Sequence, residues 1–395
     1  MGIVAEYNPF HSGHLWHMEQ TRRALGADTA IICVMSGGFV QRGEWAVFSK
    51  FARAEAAARC GADIVLELPA ARALCSAEGF ARGAVEVLEA TGVVGCLSFG
   101  SECGDAALLE RAARALMEPT TDELIKRELA SGVSYASARQ RALAQTAGED
   151  AAAVSRPNDI LAVEYIKAVY YLRSRMEPLA VLRRGAGHDE RGANELPSAS
   201  ELRARLAAGR SISDCVPSAA DEIYLREARQ GRGPVSADRM ETALLSRLRM
   251  LPPESFAALA GASEGLENRL CRAARTEPTL DGVLAAAGTK RYAMSRLRRM
   301  LMCAAIGITA ADTAADVPYI RVLAATARGR ELLREMDGRS ALPVITKPAS
   351  VKKLDESCRR CFELECAADD LLALGYPAPQ ERRAGADWLA TPVML

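Results

Sequence analysis

A chain of 395 residues with 49% hydrophobic and 25% charged side chains has the composition of a globular protein and the length of about two domains. Its 50 basic and 50 acidic residues cancel, which excludes binding of nucleic acid by bulk charge and requires any phosphate-binding surface to be local. No apolar run approaches the ~20 residues needed to span a bilayer, and no basic leader precedes GIVAEYNPF, so no membrane partner is expected and the expected compartment is the cytoplasm.

In chain order, GIVAEY predicts a short strand, followed by a turn and a helix from near His14 to about Leu25. Ala30 to Ser36 is a continuous apolar run bounded by polar and glycine turns, the pattern of a buried parallel strand. A helix over Ser49 to Cys60, the strand IVLEL, a helix over Cys75 to Ala90 and the strand CLSFGSE complete a β-α-β-α-β-α-β rhythm. That rhythm predicts an α/β, Rossmann-like fold with a parallel, doubly wound sheet. Residues 105–150 read as helical, a helix is expected over Asn158 to Ser174, and PLAVLRR as a strand. Strand signals fade after about residue 217. Met240, Leu244, Leu248 and Leu251 share one helical face, and similar patterns recur at 291–305 and 355–374. The expected domains are thus 1–217, α/β, and 218–395, mainly helical.

The eleven cysteines are scattered and read as small buried hydrophobes; Cys358 and Cys361 form a CxxC without a second pair, so no metal site is expected. The four histidines are His11, His14, His17 and His188, and three of them fall within EYNPFHSGHLWH. They lie where the first strand hands over to the first helix, where free backbone N–H groups face phosphate oxygens and Gly13 permits close approach. Zinc at the i, i+3 spacing of His14 and His17 is the alternative, but no carboxylate ligand accompanies it.

The segment GIVAEYNPFHSGH resembles the HxGH signature of the nucleotidyltransferase superfamily. With SGGFVQRGEWA (Ser36 to Ala46), FGSE (Phe99 to Glu102), RPNDILAVEY (Arg156 to Tyr165), RRGAGHD (Arg183 to Asp189), PSASELR (Pro197 to Arg203), KRYAMSRLRRML (Lys290 to Leu301) and PYIRVL (Pro318 to Leu323), the ordered motifs resemble the bacterial tRNA(Met) cytidine acetate ligase family. The resemblance implies an ATP site made by Val4, Ala5, Glu6, Tyr7, Asn8, Pro9, Phe10, His11, Ser12, Gly13, His14, Leu15, Trp16 and His17, with Gly100, Asn158, Arg183 and Ser200. Asn158 reads equally as a helix cap. Catalysis is expected from His11, His14 and Arg203, with ATP as substrate, Mg2+ accompanying it, and acetate and elongator tRNA(Met) as partners. Four departures stand out: Gly38 where the family has Asn, Trp45 where it has Pro, Asp159 where it has Asn, and His188 directly after Gly187.

Lys290, Arg291, Arg298 and Arg299 are the tRNA-contact candidates, with Tyr292 expected close to Arg299. A basic helix face beside an aromatic suits RNA phosphates and an unstacked base, although such a face also occurs as plain solvated surface. Adenylyl transfer to a small phosphorylated metabolite and a non-catalytic RNA-binding module are the rival readings.

Overall fold

The computed structural model describes residues 1–148, 151, 154–183, 197–262, 265–289 and 292–395. Its strands are β1 (Gly2–Ala5), β2 (Ile32–Ser36), β3 (Phe39–Val40), β4 (Glu44–Trp45), β5 (Ile64–Leu68), β6 (Cys96–Ser101), β7 (Glu177–Leu182), β8 (Ile320–Ala325), β9 (Val344–Ile345) and β10 (Val393–Met394). The main sheet runs β10-β8-β5-β2-β1-β6-β7, with β9 beside β8, while β3 and β4 form a separate hairpin. Helices used below are α1 (Ser12–Leu25), α2 (Lys50–Arg59), α3 (Ala77–Ala90), α4 (Ala106–Met117), α5 (Pro157–Tyr171), α6 (Ala199–Ala207), α7 (Ser218–Arg229), α8 (Ala237–Met250), α9 (Met294–Ile306) and α10 (Glu356–Ala373).

Strand periodicity explains the double winding. Along β2 and β5, Ile32, Val34, Ile64 and Leu66 enter one core with Phe80 and Ala84 of α3, Leu109 of α4 and Ile166 of α5. Their neighbours Cys33, Met35 and Val65 enter another core with Met18 of α1, Ala54 and Ala57 of α2 and Ile223 of α7. Both faces are therefore covered, and β2 and β5 are buried at every residue. A third core joins Met240, Leu244 and Leu248 of α8 to Leu297 and Leu301 of α9 and Leu364 and Leu372 of α10.

The expected parallel sheet is mixed. Strands β1, β2, β5, β6 and β7 pair in parallel, but β8 runs antiparallel to β5. This strand is the PYIRVL stretch, so strand formation does not end near residue 217; β8, β9 and β10 return from the helical region to extend the sheet. All six residues of β8 are buried, a continuous apolar run interrupted by one arginine, and that arginine has a buried partner set. Arg321 lies 2.6 Å from Asp387 and 3.3 Å from Glu67, while Lys50 lies 2.6 Å from Glu67 and 2.9 Å from both Asp369 and Asp387. Burial opposes the Lys50 charge, yet the three carboxylates outweigh it and raise its pKa; burial lifts Asp369 to about 7.

Element boundaries otherwise fall close to expectation. The first helix begins at Ser12, and α2 begins at Lys50 with Ser49 accepting from the Ala52 N–H as its cap. The β3–β4 hairpin, built from FVQRGEW, was not foreseen because two-residue strands carry no periodic signal.

Candidate active site

Sheet order reverses between β1 and β6: the chain steps from β1 outward through β2 and β5, then returns to β6 and β7 on the other side. The carboxyl ends of strands at such a switch point form a crevice for ligands. Three segments with expected site residues leave the sheet there: the loop from β1 to α1, the end of β6 with Gly100, and Arg183 directly after β7.

The HSGH turn is locked by its own imidazoles. His11 is the N-cap of α1; its Nδ1 accepts from the Gly13 N–H at 3.0 Å, and His14 Nδ1 accepts from the His11 N–H at 3.1 Å. A backbone N–H can only donate, so both Nδ1 atoms are unprotonated and each neutral ring carries its proton on Nε2. The ring centroids lie 3.8 Å apart, a distance that disfavours two imidazolium charges. Burial, then the Arg183 charge, lowers His11 to about 4; burial, then His11 and Arg183, drives His14 well below the usual range. His17 sits one turn further along, its Nε2 2.8 Å from Ser98 Oγ, and burial followed by Arg183 takes it to about 4 as well. The turn thus presents neutral Nε2–H donors, alongside the helix N-terminus, where triphosphate charge would enter.

Most side chains of the expected ATP segment have partners within the protein. Tyr7 and Phe10 are buried and pack against His14 with ring centroids 4.9 and 5.5 Å away, so they wall the imidazole pair. Tyr7 Oη lies 3.2 Å from Cys33 Sγ, and Tyr224 Oη accepts from the Phe10 N–H at 2.8 Å. Asn8 pins the hairpin: its Oδ1 accepts from the Val47 N–H at 2.9 Å and its Nδ2 donates to the Trp45 carbonyl at 3.4 Å. Glu6 accepts from the Gln41 N–H at 2.9 Å, with burial raising its pKa. Val4 and Ala5 are half-buried residues of β1, while Leu15 and Trp16 lie along α1; Pro9 and Ser12 flank the turn, Ser12 Oγ donating to the Cys215 carbonyl at 2.9 Å.

Gly100 serves Arg183. A Cβ there would stand 3.2 Å from Arg183 Cγ, so the missing side chain lets Arg183 cross β6 towards the histidines. Asn158 is the second residue of α5, not its N-cap; it donates to Glu102, whose carboxylate also accepts from the Asn158 and Asp159 N–H groups at 3.3 and 2.9 Å. Glu102 therefore caps α5 from the end of β6. Ser200 is the second residue of α6, which Ser198 caps, and its Oγ accepts from Arg203 Nη2 at 3.2 Å. Arg203 reaches back to the histidine loop, donating to the Asn8 carbonyl at 3.2 Å and to Glu44 at 3.0 Å.

Two residues at the site carried no prior signal. Arg53 is fully buried and donates to the carbonyls of Phe48 at 3.1 Å, Glu6 at 2.6 Å and Gly37, joining three loops at the strand ends. Glu44 lies between Arg203 and Arg298, the latter 3.7 Å away. An arginine inside an alanine-rich helix and a glutamate in a hairpin look like ordinary surface in a sequence.

On the tRNA side, Lys290 and Arg291 lie outside the described residues. Arg299 Nη1 donates to the Gln41 carbonyl at 3.3 Å, and burial lowers its pKa, so it ties α9 to the hairpin. Tyr292 precedes the helix that carries Arg299. The helix begins only at Met294, and Tyr292 instead carries the guanidinium of Arg296 at 4.8 Å and that of Arg269 at 5.8 Å over its ring. Among the described residues no group of three or more His, Cys, Asp or Glu side chains could hold a metal ion. Nor is any described helix long and apolar enough to cross a membrane.

A switch-point crevice, a helix N-terminus and paired neutral imidazoles are groups suited to nucleotide phosphates. The chain belongs to the HIGH nucleotidyl transferase family, whose model matches residues 1–387. Within that family it is a member of the tRNA(Met) cytidine acetate ligases. It is 36% identical to the tRNA(Met) cytidine acetate ligase of Acetivibrio thermocellus, over 100% of this chain and 99% of the relative, and 35% identical to that of Fervidobacterium nodosum, over 98% and 97%. The crystal structure of Thermotoga maritima TmcAL bound with alpha-thio ATP superposes with a TM-score of 0.92 at 35% identity, covering 100% of this chain and 99% of that one.

Proposed function

We propose that this chain activates acetate with ATP and acetylates N4 of the wobble cytidine of elongator tRNA(Met). The observation that carries the proposal is the reciprocal His11–His14 pair at the N-terminus of α1, set at the switch point of the sheet. An acetate oxygen attacks the α-phosphorus, the bond to the bridging oxygen breaks, and acetyl-adenylate and pyrophosphate result. His11 and His14 would donate Nε2–H bonds to the phosphates, and Arg183 and Arg203 would add forked cationic donors. Such groups stabilise the charge that builds on the leaving pyrophosphate. Magnesium would arrive on the triphosphate, held by its oxygens and by water. The cytidine amine then attacks the acetyl carbon, the bond to AMP breaks, and the nitrogen loses one proton. The buried thiols have no role in this sequence, since no acyl-enzyme is needed. Residues 218–395 would supply the tRNA surface, with Arg298 a described candidate cation, 3.7 Å from Glu44 of the hairpin.

The test is incubation with labelled acetate, ATP and tRNA. RNA-dependent incorporation of label with release of AMP is the expected result; a stable adenylylated metabolite with unlabelled RNA would replace this reading with adenylyl transfer.

A further inference from the structure

A cavity of about 430 Å³ opens beside Arg203, between the β3–β4 hairpin, α6, the start of α8 and α9. It falls within the roughly 300–1,000 Å³ range of small-ligand sites. Its walls include Leu206, Leu284, Leu301 and Met302, and its polar groups are Glu44, Arg203, Arg298, Asp238 and Asp281. Trp45 lines it too. Three carboxylates against two guanidinium groups leave no net positive charge, so the cavity suits a neutral ring better than a phosphate.

Resting on the function proposed above, we infer that this cavity receives the extruded cytosine, with Glu44 accepting the hydrogen bond from its exocyclic amine. An enzyme acting on a base must take it out of the stack and read its pairing edge in a pocket. Cytosine presents an amine donor beside two acceptors; a carboxylate matches the amine and a guanidinium matches the acceptors. Glu44 and Arg298 offer that pair 3.7 Å apart. A carboxylate has about four acceptor positions, and the Arg203 contact at 3.0 Å takes one of them. Uracil would turn a carbonyl oxygen toward the same carboxylate and be repelled. The location also fits: Arg203 touches both Glu44 and the Asn8 carbonyl, so the cavity adjoins the loop that carries the histidines. Trp45 supplies a stacking surface.

The test uses the full chain and RNA hairpins of the methionine anticodon arm with cytidine or uridine at the wobble position. Wild-type protein should bind the cytidine hairpin about 10- to 100-fold more tightly, the span of one good base-edge contact. In Glu44→Gln the amide can rotate to face either base, so the preference should fall to about threefold or less. Trp45→Ala should weaken both hairpins about tenfold, as lost stacking does, without moving their ratio. A Glu44→Gln protein that keeps the wild-type preference, with its fold verified by an unchanged melting curve, overturns the assignment. Wild-type protein that acetylates no RNA would instead overturn the function on which the assignment rests.

Discussion

The depressed histidines make an acid-stability prediction whose size can be worked out. His17 has an ordinary value of 6.5 and stands at about 4 in the folded chain, because it is buried and faces Arg183. The folded state therefore binds fewer protons than the unfolded state between those values, so stability falls as pH drops below 6.5 and the loss is complete below 4. At about pH 5 the unfolded imidazole is favoured by a factor of roughly 30 in protonation, which costs the native state about 2 kcal/mol; near pH 7.5 the cost is about zero. His11, also lowered by burial to about 4, contributes a similar amount. Replacing His17 by Gln removes the titration while keeping a group able to bond Ser98. Urea unfolding at the two pH values should show the variant losing about 2 kcal/mol less than wild type between them. Asp369, lifted to about 7, acts with the opposite sign, but it is present in both proteins and drops out of the difference. Equal losses in wild type and variant would refute the claim that His17 is held neutral by burial and Arg183.

Other substitutions test separate parts of the structure. Lys50→Met leaves Glu67 and Asp387 short of a buried counter-ion and should destabilise by about 3–5 kcal/mol in chemical denaturation. Gly43→Ala should cost more than ~2 kcal/mol, read as a lowered melting temperature: its φ of +73° disfavours a side chain, and a Cβ would stand 2.5 Å from the Arg299 backbone nitrogen. Gly100→Ala should displace Arg183 and weaken ATP binding about tenfold by calorimetry, the worth of one charge-assisted contact, with a small change in stability.

Much of the site was legible because its chemistry is local. The histidines, the glycine between them and the strand-to-helix handover are consecutive in the chain, so a short motif reports a short structure. Apolar runs between turns likewise located β2 and β5, and helical spacing the long helices. What escaped depends on contacts between distant segments. The direction of β8 is set by pairing with β5 some 250 residues earlier, a relation with no trace in the IRVLAA pattern itself. Glu44 gains meaning only when α6 and α9 bring Arg203 and Arg298 beside it. Tyr292 was misplaced because a helix was projected through residues that precede its first turn.

The most direct measurement is calorimetric titration of ATP and of AMP into wild-type protein and His14→Asn. If the imidazole pair grips the outer phosphates, the variant loses about tenfold or more in ATP affinity and little in AMP affinity, while its melting curve stays cooperative. Equal ATP affinity in the two folded proteins would contradict the account.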